Sequence, residues 1–234
     1  MSSYQEIYKD INKKFGEIIR ISLDGANEKE YAKLEAYYDD YLKWIQFTSG
    51  ENERLIFEEA NSEYRTMLLF LCMGLYKNAY MSLRGYLELT LFGIKLSSCD
   101  YDFRLWKNGN KDVHWSEIID CDKGIFSSQY VEAYNETLVG EKDKACQVAR
   151  EQYRKCSEYI HSGYKVIKDG VDVAFEQNTF DEFCSSVKQI NRIITYAFCV
   201  RYREKILIPE IKEQLQDSIL DELSDIREVH EFLQ

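Results

Sequence analysis

The stretch MLLFLCMGLYKNAYMSLRGYLELTLFGIKL, residues 67–96, decides the fold class. It is apolar on nearly every side of a helix, which is typical of a helix at the centre of a domain rather than at its surface. Gly74 predicts a break, so the stretch is interpreted as one buried helix or as a helix pair. The apolar run from Met67 to Tyr76 is about ten residues long, and a bilayer span needs roughly 20. We therefore expect a helical core and no membrane span.

Amphipathic helices are predicted on both sides of this core, because apolar residues recur there at spacings of three and four. Residues 97–128 are less regular and contain one short helical piece near 115–119, while alternation over 171–175 predicts a short strand. A single proline and eleven glycines leave little material for a sandwich or a barrel, so the fold class is all-α. The predicted helices cover residues 3–22, 27–47, a segment from 51 through the core, 129–138, 141–160, 181–205 and an acidic tail after Pro209.

Charge and cysteine content limit the partners, the metal sites and the cellular compartment that we expect. The formal net charge of −11 repels nucleic acid over most of the surface, so an RNA site requires a local basic patch, and a protein partner is favoured elsewhere. Seven scattered cysteines include no Cys-x-x-Cys pair, which is typical of reduced thiols rather than of disulfides or a zinc site. The first residues lack the apolar core of a signal peptide. We expect a cytoplasmic protein without a metal ion or other cofactor.

Arg154 and His161 are the strongest candidates for chemistry. Seven residues correspond to about 700° of helix rotation and a rise of about 10.5 Å, so a continuous helix would place both side chains on one face. An arginine binds anions with a permanent charge, and a histidine exchanges protons near neutral pH. The pair suits cleavage of RNA, with His161 as general acid or base and Arg154 on the scissile phosphate. A chance occurrence of this spacing is the alternative.

A basic segment surrounds this pair. Positive residues outnumber acids between Glu141 and Lys168, although the chain as a whole is acidic. Such a segment favours contact with phosphate, and we assign Arg150, Lys165 and Lys168 to RNA binding. The basic residues are Lys142, Lys144, Arg150, Arg154, Lys155, Lys165 and Lys168.

Three segments resemble the HEPN domains, which are small helical bundles found in many prokaryotic toxin and antiviral-defence ribonucleases. The family signature is an arginine and a histidine separated by four to six residues, and in YRKCSEYIHSGY at 153–164 six residues separate Arg154 from His161. AYMSLRGYLELTLF at 79–92 is similar to the early bundle helix, with Arg84 and Glu88 one turn apart. Residues 171–202 resemble the extended piece and closing helix. The residue after the arginine is often Asn or Asp in the family, whereas here it is Lys155.

The resemblance covers residues 63–205 and implies an organisation as well as an activity. It implies a HEPN-like bundle over 63–206, an N-terminal helical extension over 1–62 packed on it, and an acidic C-terminal amphipathic helix over 207–234. It also implies a homodimer that cuts RNA without a metal ion, in a toxin or phage-defence system, at a cleft shared by two copies of Arg154 and His161. The auxiliary residues of that cleft are Lys155, Ser157, Tyr164, Arg84 and Glu88.

Two alternatives remain. The first concerns the role of Arg84 and Glu88: either the two form a pair that fixes helix packing, or Glu88 orients the catalytic groups. The second concerns the function of the whole chain. It is either a ribonuclease or a non-catalytic HEPN-like subunit, which would bind a protein partner, such as an antitoxin, through its acidic surface and its C-terminal helix.

Overall fold

The computed structural model describes residues 3–112, 114–160 and 174–233. These residues form helices and no strand, which confirms the all-α prediction. None of these helices combines the length and the apolar character that a bilayer crossing requires. The helices are α1 (Tyr4–Ser22), α2 (Ala26–Thr48), α3 (Glu51–Cys72), α4 (Tyr76–Ser97), α5 (Asp100–Lys107), α6 (Trp115–Ile118), α7 (Ser128–Asn135), a 3₁₀ helix (Glu136–Glu141), α8 (Lys142–Ile160), α9 (Gln177–Arg201), α10 (Arg203–Ile206), α11 (Pro209–Leu223) and α12 (Arg227–Phe232).

The stretch at residues 67–96 folds as the end of one helix and nearly all of the next. The break predicted at Gly74 lies between α3 and α4, where Gly74 adopts a φ of +69°. A Cβ atom on Gly74 would lie 2.7 Å from the carbonyl oxygen of Ala174, so both the left-handed backbone and the close contact require glycine. The α3–α4 pair forms the most extensive helix contact in the described residues.

Aromatic side chains from several helices fill one core. Trp44 of α2 stacks on Phe198 of α9 with ring centroids 4.9 Å apart, and Phe57 of α3 lies 5.3 Å from the same ring. The buried hydroxyl of Tyr41 forms a 2.8 Å hydrogen bond with that of Thr90 in α4. Side chains on both sides of residue 62 therefore enter the same core, and the limit predicted between residues 62 and 63 falls within α3.

The acidic tail differs from its prediction. A single C-terminal helix was expected over residues 207–234, but two helices, α11 and α12, occupy it, with a turn between Leu223 and Arg227. Arg192 of α9 holds this turn through two hydrogen bonds of 2.7 and 2.9 Å to the Asp225 carboxylate. The predicted apolar stripe is buried in the core: Leu215, Ile219, Leu223, Ile226 and Leu233.

Two segments, residues 97–128 and 171–175, were predicted to be irregular and extended, respectively. Residues 97–128 contain a helix, α5, that the sequence pattern did not indicate. Residues 171–173 of the predicted strand lie outside the described residues, and Ala174 to Glu176 form neither strand nor helix.

Helix α1 packs on the bundle through its C-terminal half only. A capping box starts the helix, since the Ser3 backbone N–H donates to Glu6 Oε2 at 2.9 Å and the Glu6 N–H donates to Ser3 Oγ. Ile18 is 5% exposed against the bundle, whereas Ile11, on the same face, is 42% exposed. The exposed apolar residues of the N-terminal half, here called the α1 stripe, are Tyr4, Ile7, Tyr8 and Ile11.

Candidate functional site

Helix α8 carries the candidate residues, and its inner face is fixed in the core. Ala149, Gln152 and Cys156 are buried along this face. Arg154 lies about 170° around the helix from them, so its side chain points away from the bundle. That side chain is 79% exposed, and its Nε lies 4.0 Å from Glu158 Oε1, at the limit of an ion pair. Arg154 is therefore a solvent-facing guanidinium on a rigidly packed helix.

His161 lies outside the described residues, as do Tyr164, Lys165 and Lys168, which were assigned to the same site. Helix α8 is described up to Ile160. The common helix face of Arg154 and His161 therefore stays a prediction from their spacing.

A cluster at the contact of α4 with α8 holds Arg84 in place. Arg84 Nε lies 3.2 Å from Glu88 Oε2, and its Nη2 donates to both Glu88 Oε1 and the Tyr153 hydroxyl. The guanidinium carbon lies 4.4 Å from the centre of the Tyr153 ring, within the range of a cation–π contact. The pair predicted at Arg84 and Glu88 is thus formed, and it includes a residue of α8.

Trp115 extends this cluster outward. Its ring stacks on that of Tyr153, with centroids 4.1 Å apart and planes 6° apart. Burial raises the pKa of the Tyr153 hydroxyl, so this group stays protonated at neutral pH. Arg84, Tyr153 and Trp115 therefore form a continuous stack, and Tyr153, in the middle of it, precedes Arg154 in the sequence. Sequence analysis did not assign Tyr153 or Trp115 to the site, although Tyr153 adjoins the catalytic arginine candidate.

Two other candidates on α8 bind parts of the protein itself. Lys155 donates to the Glu182 carbonyl of α9 at 3.3 Å, and its Nζ lies 5.9 Å from the centre of the Tyr80 ring. Arg150 donates to the Ile119 carbonyl at 2.8 Å, at the end of α6. Both side chains therefore connect α8 to neighbouring elements. Of the basic residues described on α8, Arg154 combines high exposure with the most distant carboxylate contact.

Ser157 also has an internal hydrogen bond. Its hydroxyl donates to the Tyr153 carbonyl at 2.7 Å, one turn earlier in α8. Ser157 thus lies one turn after Tyr153, the residue that contacts Arg84 of α4. The auxiliary residues Arg84, Glu88 and Ser157 consequently share one side of α8, and Lys155 lies on the other.

A cleft of about 360 Å³ lies on that other flank, between α8, α9 and the turn after α11. Its floor is apolar, with Val148, Ile193 and Tyr196 among the lining residues, and Lys144 and Arg192 lie at its edge beside Glu141 and Glu151. The predicted site residues that the structure describes do not line this cleft. In the described ranges, no group of three or more His, Cys, Asp or Glu residues is arranged to hold a metal ion.

Comparisons with known proteins identify no relative. No protein-family profile, no curated protein and no solved structure matches this chain. The similarity to HEPN domains therefore rests on residues of this sequence alone and stays a prediction.

Proposed function

We propose that this protein is a metal-independent, HEPN-type endoribonuclease of a toxin or phage-defence system, and that Arg154 and His161 form its catalytic site at an interface between two copies. The observation that carries the proposal is the position of Arg154: its guanidinium points to solvent from a helix whose opposite face is locked in the core. Lys155 and Arg150, the basic neighbours on the same helix, are bound to backbone carbonyls instead.

The proposed reaction uses the RNA itself as the nucleophile. The 2′-oxygen attacks the adjacent phosphorus, a 2′-O–P bond forms, and the bond from phosphorus to the 5′-oxygen breaks. A histidine accepts the proton of the 2′-hydroxyl or donates one to the leaving 5′-oxygen, and an arginine stabilises the extra negative charge on the phosphorus oxygens. The products are a 2′,3′-cyclic phosphate and a 5′-hydroxyl.

A second copy of the chain would supply the second acid–base group that one α8 lacks. The reaction needs one base and one acid, and a single histidine performs only one of these roles at a time. Arg154 faces outward, so a partner molecule can approach it directly. The Arg84–Glu88–Tyr153 cluster supports the site indirectly, because it fixes α8 against α4 and so limits the directions in which Arg154 can extend.

The test is cleavage of labelled RNA by the full-length protein, with and without EDTA. We expect cleavage that persists in EDTA and leaves 2′,3′-cyclic phosphate ends. Arg154→Ala and His161→Ala should each reduce the rate by at least about 100-fold. Arg227→Ala is a matched control, because Arg227 is a similarly exposed arginine that pairs with a glutamate one turn later, on α12 instead of α8. Equal rates for Arg154→Ala and Arg227→Ala would reject the proposal.

A regulatory subunit without catalysis is the second candidate, and the α1 stripe favours it. The C-terminal stripe, which sequence analysis assigned to partner binding, is buried, whereas Tyr4 and Tyr8 of the α1 stripe are 83% and 69% exposed. In this case a protein partner, such as an antitoxin, would bind α1. Tyr4→Ser with Tyr8→Ser would then abolish capture of that partner, and His161→Ala would have no effect on it.

A further inference from the structure

Two cysteines lie beside one arginine where the end of α6 meets α8. Cys121, in the turn after α6, is exposed, and Cys146, one turn before Arg150 on α8, is half-buried. Arg150 Nη2 lies 3.4 Å from Cys121 Sγ and 2.8 Å from the Ile119 carbonyl oxygen. Cys146 Sγ lies 3.9 Å from that same oxygen. Both sulfur atoms therefore border one guanidinium–carbonyl contact.

The turn that carries Cys121 is held firmly. The Asp120 carboxylate accepts backbone hydrogen bonds of 3.0 and 2.8 Å from Asp122 and Lys123, and this pairing holds its pKa below the usual range. Lys95 of α4 donates to the Lys123 carbonyl at 2.7 Å. These hydrogen bonds fix the turn on both sides of Cys121, and they hold its exposed sulfur atom close to α8.

The two thiols differ in a way that suits sequential oxidation. Cys121 is open to solvent beside a positive guanidinium, the environment in which thiols react with peroxides. Burial raises the pKa of the Cys146 thiol, so Cys146 stays protonated and less reactive until an electrophilic sulfur is formed next to it. The other cysteines on α3, α8 and α9 are buried in the core: Cys72, Cys156, Cys184 and Cys199.

We propose that Cys121 and Cys146 form a peroxide-responsive thiol pair that closes to an intrachain disulfide. In the first step the Cys121 sulfur attacks the terminal oxygen of a hydroperoxide, so an S–O bond forms, the O–O bond breaks and an alcohol or water leaves. In the second step the Cys146 sulfur attacks Cys121, the S–S bond forms, and the hydroxyl leaves as water with the Cys146 proton. Each sulfur loses one electron and the peroxide gains two.

Closure has a structural consequence at α8. The disulfide would bind the turn after α6 covalently to the helix that carries Arg154, and it would remove the Cys121 thiol as a hydrogen-bond acceptor for Arg150. Arg150 keeps the Ile119 carbonyl. A cross-link across the residues between 121 and 146 should also restrict the unfolded chain and raise the melting temperature of the oxidised protein.

The experiment is treatment of the reduced full-length protein with one equivalent of hydrogen peroxide, followed by alkylation and tryptic mapping without reductant. We expect the peptides 112–123 and 145–150 to be joined, and a melting temperature that rises and returns after reduction. Cys121→Ser should abolish the joined peptide and leave Cys146 alkylated. Cys146→Ser should leave Cys121 as a sulfenic acid that dimedone traps.

Cys99→Ser is the matched control, because Cys99 is a half-buried cysteine that touches neither thiol in this arrangement, and the joined peptide should persist in it. Full alkylation of both Cys121 and Cys146 after peroxide treatment would overturn the proposal. So would a disulfide that joins two copies of the chain, or one that forms first between any other two cysteines.

Discussion

The two ends of this chain are both amphipathic helices, but the bundle covers the apolar side of only one of them. At the C-terminal end, Leu215 and Ile219 of α11 are completely buried, and α12 folds back so that Val229 is buried as well. At the N-terminal end, Ile18 of α1 is buried, and the α1 stripe, two and more turns earlier, extends past the bundle into solvent. A regular apolar stripe therefore indicates a helix and leaves open what covers it.

The difference follows from what each helix meets. Helix α11 lies against α9 and α2, helix α12 lies against the 3₁₀ helix, and Arg192 of α9 fixes their connecting turn through Asp225. Among the described residues, helix α1 has smaller contacts, with α2 and α3, and its Ile18 side chain lies beside the Gly74 break. Its exposed half carries three lysines against two acids, Glu6 and Asp10, so it is weakly positive in a chain with a net charge of −11. The N-terminal end therefore presents an apolar stripe to solvent, and the C-terminal end is part of the core.

The largest effect is expected from Ile219→Ala. Ile219 is completely buried, so the substitution leaves a cavity as well as removing apolar burial. The free energy of unfolding should fall by about 2–5 kcal/mol, measured by urea denaturation followed by circular dichroism. A loss below about 1 kcal/mol would mean that α11 is not part of the core, and the contrast between the two ends would disappear.

A smaller effect is expected from Glu222→Gln, near the end of α11. Burial raises the pKa of the Glu222 carboxyl, against hydrogen bonds from Tyr37 and Asn191 that lower it. The folded protein therefore holds this proton more strongly than the unfolded chain does, and stability is lost as the pH rises through the folded pKa. Glutamine keeps an acceptor and carries no charge.

The variant should match the natural protein at pH ~4 and have the larger free energy of unfolding at pH ~7, because glutamine stays neutral as the pH rises. Thermal unfolding at both pH values measures this difference. A variant that is less stable than the natural protein at neutral pH would show that the ionised carboxylate is stabilising in this position.

The smallest effect is expected from Ile11→Ala in the α1 stripe. Ile11 is 42% exposed, so its truncation should change the free energy of unfolding by no more than about 0.5 kcal/mol. Ile18→Ala is the matched control on the same face of the same helix, and it should cost more because Ile18 is 5% exposed. Equal losses for the two variants, measured at several protein concentrations, would show that the α1 stripe is covered in solution.

The sequence predicted most long helices because their signals are local. The break between the predicted helices 3–22 and 27–47, the Gly74 break and Pro209 each mark a boundary that the structure confirms. Helix α5 was missed because a tertiary contact stabilises it: Trp106 packs against Phe92 of α4, with ring centroids 5.1 Å apart. The turn that divides α11 from α12 was missed for the same reason, since Arg192 holds it from α9.

At the candidate site, the sequence predicted the helix α8, and the tertiary structure determined what each basic side chain on α8 contacts. Spacing alone placed Arg150, Arg154 and Lys155 in one basic segment. The structure directs Lys155 to α9, Arg150 to the end of α6 and Arg154 to solvent. The contact of Arg84 with Tyr153 joins residues far apart in the chain, and no local pattern encodes it.

The sequence by itself determined the helical class, the position of most breaks and the amphipathic character of both ends, because each depends on residues within a few turns of one another. Only the tertiary structure decided which stripe is buried, which basic side chain faces outward and which cysteines meet. Those outcomes depend on the elements that pack against each helix, and packing joins residues whose separation in sequence carries no periodic signal.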